Sequence, residues 1–338
     1  MFVTGCHRSG TSLVASLLVD LLGQSSVSTD QLAAQPDNPQ GFFESQQLVD
    51  LNNELLAWLG RDWSTPPLVA PSWDSGPYLS RLEARRKDFK HWSLHRDWVD
   101  KDPRLCITYP AFFHLLLKRI PLVGVLRPPL EVATSLYARN GLPINSGLSL
   151  WFLYNHHLSA VMDSSDCLLT YDSVLAAVNE EGSSLLLTRV APMLDHVGAP
   201  LPSDEQWTKL LSRRLRPDLN RAQAPLSHAV KLSINPALHS ACQRAFEAVS
   251  GNGYCDASSF YDSFECVPRD LLVLLARQGS LYNVDESVRQ CEDAKFCYSP
   301  LSQALIDSQN ELELLKSSRS WKITSPLRAF ANCLRGSK

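Results

Sequence analysis

Apolar residues fall into two patterns along this chain. Short continuous runs at Phe2–Thr4, Leu122–Leu126 and Cys167–Tyr171 read as strands buried on both faces, as in a parallel sheet. Trp98-Val-Asp-Lys101-Asp102, stopped by Pro103, reads as a fourth, shorter strand. Between the runs, apolar positions recur at helical spacing, as in Leu13, Val14, Leu17, Leu18 and Leu21, and again in Leu48, Leu51, Leu55 and Leu59. Helical sequence also covers 78–92, 109–119, the stretch from Pro129, 147–162 and 183–197. Strand alternating with helix predicts an α/β fold, a central parallel β-sheet flanked by helices in three layers. Residues 1–222 carry this pattern; 223–297 read as a helical continuation, and 298–338 as an amphipathic helix, Tyr298–Lys316, with a tail.

The first strand runs into Gly5-Cys-His7-Arg8-Ser9-Gly10-Thr11-Ser12, and a helix follows. Strand, glycine-bounded loop and helix together point backbone N–H groups and a helix N-terminus at one anion. Gly5-x4-Gly10 has the spacing of a nucleotide P-loop, so the fold is expected to be P-loop NTPase-like. Thr11-Ser12 stands where an NTPase carries Lys-[Ser/Thr], and that lysine bridges the β- and γ-phosphates. Its absence argues against ATP or GTP hydrolysis; the loop carries its positive charge at Arg8 instead.

A second anion site is expected at the end of the Leu122–Leu126 strand. Arg127 follows directly, Pro128 and Pro129 suit a helix start, and Ser135 lies in the helix beyond. A guanidinium matches a phosphate bidentately and a hydroxyl adds a donor. Glu44 precedes the helix of Leu48 and Leu51, which Ser45 is placed to cap; on pattern alone Glu44 also suits the helix dipole. Lys101 and Asp102 sit at a strand end, where open α/β sheets bind ligands, and a lysine snorkelling from the strand fits equally. Asp172 reads as a structural cap. The proline-rich stretch 61–77 with Trp63, Trp73 and the adjoining Tyr78 reads as a substrate-facing or simply packed loop.

Composition adds little that is unusual. Of 338 residues, 44% are hydrophobic and 20% charged, and the net charge of −3 gives no general attraction to nucleic acid, so an anion site must be built locally. Nine scattered cysteines without a Cys-x-x-Cys pair argue against a disulfide framework, although Cys255/Cys266 or Cys291/Cys297 suit pairing in an exported chain. No metal is expected, since no His/Cys/Asp cluster has ligand spacing. With a strand beginning at Phe2 and no apolar run of roughly 18 residues, neither a leader nor a spanning helix is expected. The expected location is the cytoplasm.

Gly5 to Ser12 resembles the 5′-phosphosulfate loop of sulfotransferases, which take the sulfuryl group from 3′-phosphoadenosine 5′-phosphosulfate (PAPS). Arg127 with Ser135 resembles that family's 3′-phosphate pair, although Pro128 stands where Asp or Asn is usual. Asn38-Pro-Gln-Gly-Phe-Phe-Glu44 is similar to the segment that carries the catalytic base in bacterial members. Lys101-Asp-Pro resembles the Lys-x-Pro element of the tyrosylprotein and carbohydrate branches. The resemblance covers roughly 1–221, where Pro217, Leu219 and Arg221 are similar to a stretch that closes over the nucleotide.

The resemblance implies transfer of a sulfuryl group from PAPS to a hydroxyl or amine, leaving 3′-phosphoadenosine 5′-phosphate (PAP). Backbone amides of residues 7–12 would hold the phosphosulfate, with Arg8 at the leaving oxygen. Glu44 would take the acceptor's proton, Lys101 would face the sulfuryl oxygens, and Arg127, Ser135 and Arg221 would complete the nucleotide site. The aromatic loop 61–78 tilts the acceptor toward a carbohydrate or glycolipid. Ser317–Arg328 resembles a tail of bacterial polysaccharide glycosyltransferases and suits a contact with the inner membrane face or with such a complex. The alternatives are a small-molecule kinase of the P-loop fold and a non-catalytic nucleotide-binding subunit of a polysaccharide-assembly complex.

Overall fold

Strands β1 (Phe2–Thr4), β2 (Asp100–Lys101), β3 (Leu122–Leu126) and β4 (Cys167–Thr170) pair in parallel in the order β2-β1-β3-β4. Val3 stands level with Lys101 on one side and Val123 on the other, and Leu126 with Thr170. After β1 the chain adds β2 at one side and then crosses to place β3 and β4 at the other. The order therefore switches between β1 and β3, where open α/β sheets form a crevice at the strand C-termini. The structure is a computed structural model describing residues 1–23, 43–74, 76–89, 98–215, 230–231, 233–250 and 257–264, with Leu32, Trp92 and Leu275. All lie in one compact unit, Met1–Val288.

Alternation along each strand sends neighbouring side chains to opposite faces. Val3, Val123, Val125 and Leu169 pack with α1 (Thr11–Leu22), α8 (Glu180–Val197) and α9 (Asp204–Arg214). Phe2 and Leu122 face the other way, onto α2 (Gln46–Trp58), α3 (Gly76–Phe89) and α4 (Leu105–Leu116). Both faces of the sheet are thus covered by helices. Helices α5 (Pro129–Asn140) and α6 (Ile144–Val161) pack closely on each other, and α10 (Pro236–Ser250) rests on both; α7 (Tyr171–Ala176) follows β4, and α11 (Ala257–Asp262) packs on α10 and α6.

Several local expectations shift. The 98–102 strand shortens to Asp100–Lys101, because Asp102 turns the chain by accepting from the Arg104 N–H and α4 starts directly at Leu105 rather than at Tyr109. Ser45 caps α2 as expected, accepting from the Leu48 N–H at 3.2 Å. Thr170, not Asp172, caps α7; Asp172 is an acidic residue within its first turn. Trp73 is a core residue, buried and donating to the Ile107 carbonyl, so it faces no substrate. Helix α9 went unread, although Ser203 and Gln206 form a capping box visible in the sequence. Arg221 with Pro217 and Leu219, the 38–42 part of the base segment, and everything expected of 298–338 lie outside the described residues.

Candidate functional site

Thr4, the last residue of β1, donates its Oγ1–H to the Asp102 carbonyl at 2.9 Å and ties the ends of β1 and β2 together. The loop that follows holds three positive φ angles: Gly5 at 149°, Arg8 at 69° and Gly10 at 92°. A Cβ on Gly5 would lie 2.3 Å from the Val125 carbonyl oxygen, and one on Gly10 would lie 2.3 Å from the Tyr171 ring. The two glycines therefore let the loop lie against β3 and the start of α7. Arg8 has no such excuse. A non-glycine residue in this region is strained, and such strain is held by its surroundings at working sites. Helix α1 begins at Thr11 with Gly10 as its cap, a residue with no side chain to accept from the first turn. Ser9 is fully buried, and its Oγ has no hydrogen-bond partner.

Across the switch point stands Arg127, at the end of β3. Its Nε–H donates to Glu131 at 2.9 Å, one Nη reaches the Arg8 carbonyl at 3.3 Å, and the guanidinium lies 4.5 Å from the Tyr171 ring centroid. Trp151 donates to the Arg127 carbonyl at 2.8 Å and fixes the backbone. Ser135 is bound by Arg8, whose Nε–H donates to its Oγ at 2.9 Å. The fold thus brings the two expected phosphate elements into one cluster, but with the partners crossed: the loop arginine holds the helix serine. Tyr171 is the residue sequence reasoning missed here. Its ring is at once the floor under Arg127 and the wall against Gly10.

Glu44 and Lys101 form a buried ion pair, Lys101 donating to Oε1. Lys101 is 2% exposed and Glu44 9%. Burial pushes the Glu44 carboxyl above its ordinary range, against the pull of Lys101. Phe43, the residue before Glu44, packs against the core cluster of α1, α8 and α9 with Arg214 over its ring. Beside the pair, Asp102 accepts from Arg104 at 2.9 Å and from Asn52 at 3.0 Å, and Asn52 in turn accepts from Thr108 at 2.7 Å. Asn52 carried no sequence signal, because its partners come from other elements; Arg104 pairs with Asp102, two residues before it.

His7 lies between these groups. Its ring packs on Trp63 and Tyr154, with centroids 4.8 and 5.3 Å away, and Nε2 is buried without a partner. Burial, then the nearby Arg104 and Lys101 charges, hold its pKa well below the usual histidine range, so the imidazole is neutral at pH 7. The Tyr154 hydroxyl donates to the Trp63 carbonyl at 2.8 Å and His157 meets the Pro67 carbonyl at 2.7 Å. This pins the 63–67 loop beside the 5–10 loop.

The arrangement joins a glycine-bounded loop, with Arg8 and Arg127 at it, to a buried carboxylate–lysine pair at the C-terminal ends of β1, β2 and β3. Among the described residues no group of three or more His, Cys, Asp or Glu side chains is placed to hold a metal, and no helix is long and apolar enough to cross a membrane. Comparisons of the chain with protein-family models, with curated proteins and with solved structures gave no match.

Proposed function

We propose that the chain is a PAPS-dependent sulfotransferase of P-loop-like fold, acting on a hydroxyl or amine of a carbohydrate or glycolipid acceptor. The observation that carries the reading is the single cluster of Arg8, Arg127 and Ser135 at the sheet's switch point, with Glu44 and Lys101 beside the same loop. A nucleotide with separate 3′- and 5′-phosphate groups needs two anion-binding elements at one crevice. The uncapped N-terminus of α1 and the buried, unpartnered Ser9 hydroxyl fit an anion in the loop.

In this reading the acceptor oxygen or nitrogen attacks sulfur as the bond from sulfur to the bridging phosphate oxygen breaks, and the electron pair leaves on PAP. Glu44 takes the proton the acceptor sheds. It can do so only when Lys101 turns from it to the sulfuryl oxygens, where a cation opposes growing negative charge. Arg127, oriented by Tyr171 and Glu131, and Arg8 with Ser135 hold the phosphates. Arg8 would oppose the charge that grows on the leaving oxygen.

A small-molecule kinase is the rival within the same fold, and Thr11 in place of the Walker lysine weighs against it. A non-catalytic nucleotide-binding subunit has no use for a buried carboxylate–lysine pair at the loop. Incubation with 35S-labelled PAPS and an extract of candidate glycans tests the reading: label moves to a glycan in the wild type and not in Glu44→Gln. Phosphate transfer from ATP would establish the kinase instead.

A further inference from the structure

The segment that enters α2 lies beside β2 in two side-chain pairs, Ser45 with Asp100 and Glu44 with Lys101. Asp100 is fully buried. It accepts the Ser45 hydroxyl at 2.6 Å, the Ser45 N–H at 3.2 Å, the Lys101 N–H at 2.9 Å and the Trp92 indole N–H at 3.3 Å. The Ser45 hydroxyl, having given its one proton to Asp100, accepts the Leu48 N–H of the first turn of α2. One carboxylate therefore grips the residue after Glu44 through both backbone and side chain, and the backbone of Lys101 as well. Phe43, just before Glu44, is held at φ 55°, a strained conformation that persists only where neighbouring contacts impose it.

For packing alone this carboxylate is a poor choice. Burying it with only neutral hydrogen-bond donors among the described residues is costly, and a neutral side chain of similar shape would fill the space at less expense. Its four donors make sense as a fixture. We propose that Asp100 is a positioning residue that sets Glu44 against Lys101, acting through Ser45. Its catalytic consequence rests on the sulfuryl-transfer reading; its structural consequence does not.

The test is trace acetylation of the folded protein with acetic anhydride, the labelling of Lys101 measured by mass spectrometry against exposed Lys87 of α3. Lys101 should be protected in the wild type. In Ser45→Ala and Asp100→Asn its relative rate should rise about tenfold or more, the scale of one hydrogen bond to a charged group. Ser45→Thr, which restores the hydroxyl, should restore protection. A role limited to stability would move the melting temperature and leave the Lys101-to-Lys87 ratio alone, and an unchanged ratio in folded Ser45→Ala overturns the proposal. So does a Ser45→Ala chain that cannot fold, since the clasp would then serve folding rather than placement; Ser45→Ala decides if Asp100→Asn misfolds. A second arm measures PAPS turnover, where kcat should fall about tenfold with PAP affinity unchanged. Wild-type protein inert toward PAPS refutes the sulfuryl-transfer reading, while the labelling still judges Asp100.

Discussion

Arg8 of the 5–10 loop donates its Nε–H to the Oγ of Ser135, 127 residues away in sequence. That bond ties loop and helix together, and it gives Ser135 a partner other than Arg127; in the proposed reading the two form one binding element. Arg8→Ala and Ser135→Ala should therefore weaken PAP binding non-additively. The double variant is expected to fall short of the summed losses by about 1 kcal/mol, the usual scale for residues in contact. Calorimetry on the four proteins checks this, and strict additivity would dissolve the pairing.

In the proposed reading Arg127 is the second anchor, its guanidinium lying over Tyr171 and held by Glu131. Arg127→Ala should spare the fold and cost on the order of 2–4 kcal/mol in PAP affinity, or about 30- to 1,000-fold. Equal affinity in the variant would remove Arg127 from the nucleotide site.

Glu44 and Lys101 give a paired expectation. Glu44→Gln should lower sulfate transfer about 100- to 10,000-fold while PAP binding stays near wild type, because the amide keeps the shape but accepts no proton. Removing Lys101 alone, as Lys101→Met, leaves a buried carboxylate uncompensated and should cost about 3–5 kcal/mol of stability. Lys101→Met combined with Glu44→Leu should recover most of that loss without recovering activity. Urea denaturation separates the cases, and a Lys101→Met protein as stable as wild type would mean that the pair is not buried in solution.

Stability should depend on pH through Asp100. Burial raises its pKa from an ordinary carboxylate value to about 6, against the hydrogen bonds from Ser45. The folded state thus holds the Asp100 proton more tightly than the unfolded chain. The resulting stabilisation is full below about pH 4 and is lost as pH rises through about 6. Over that window wild type should lose stability relative to Asp100→Asn at up to about 1.4 kcal/mol per pH unit. Unfolding curves of the two proteins from pH 4 to 7 check the sign, and a constant difference would contradict it.

Much of the sheet was legible because buried parallel strands read as unbroken apolar runs, as Leu122–Leu126 does. Strand β2 was only half legible: it consists of two charged residues, and its extent is set by pairing with β1 rather than by its own pattern. The turn between β1 and α1 was visible because Gly5 and Gly10 answer local backbone demands. Partner choice was not visible. Arg8 with Ser135, Arg127 on Tyr171, and Asn52 with Asp102 are decided by which strand ends meet at the switch point. Asp100 escaped notice for the same reason, since its four donors come from three separate stretches of chain.

The central claim is that this crevice binds a nucleotide through separate 3′- and 5′-phosphate sites. Calorimetric titration of the wild-type protein with PAP and with 5′-AMP tests it most directly, since the two ligands differ only in the 3′-phosphate. PAP is expected to bind about 30- to 1,000-fold more tightly, the scale of one charge-assisted bidentate contact, and Arg127→Ala should erase most of the difference. Equal affinity for the two nucleotides, or binding of neither, would contradict the account.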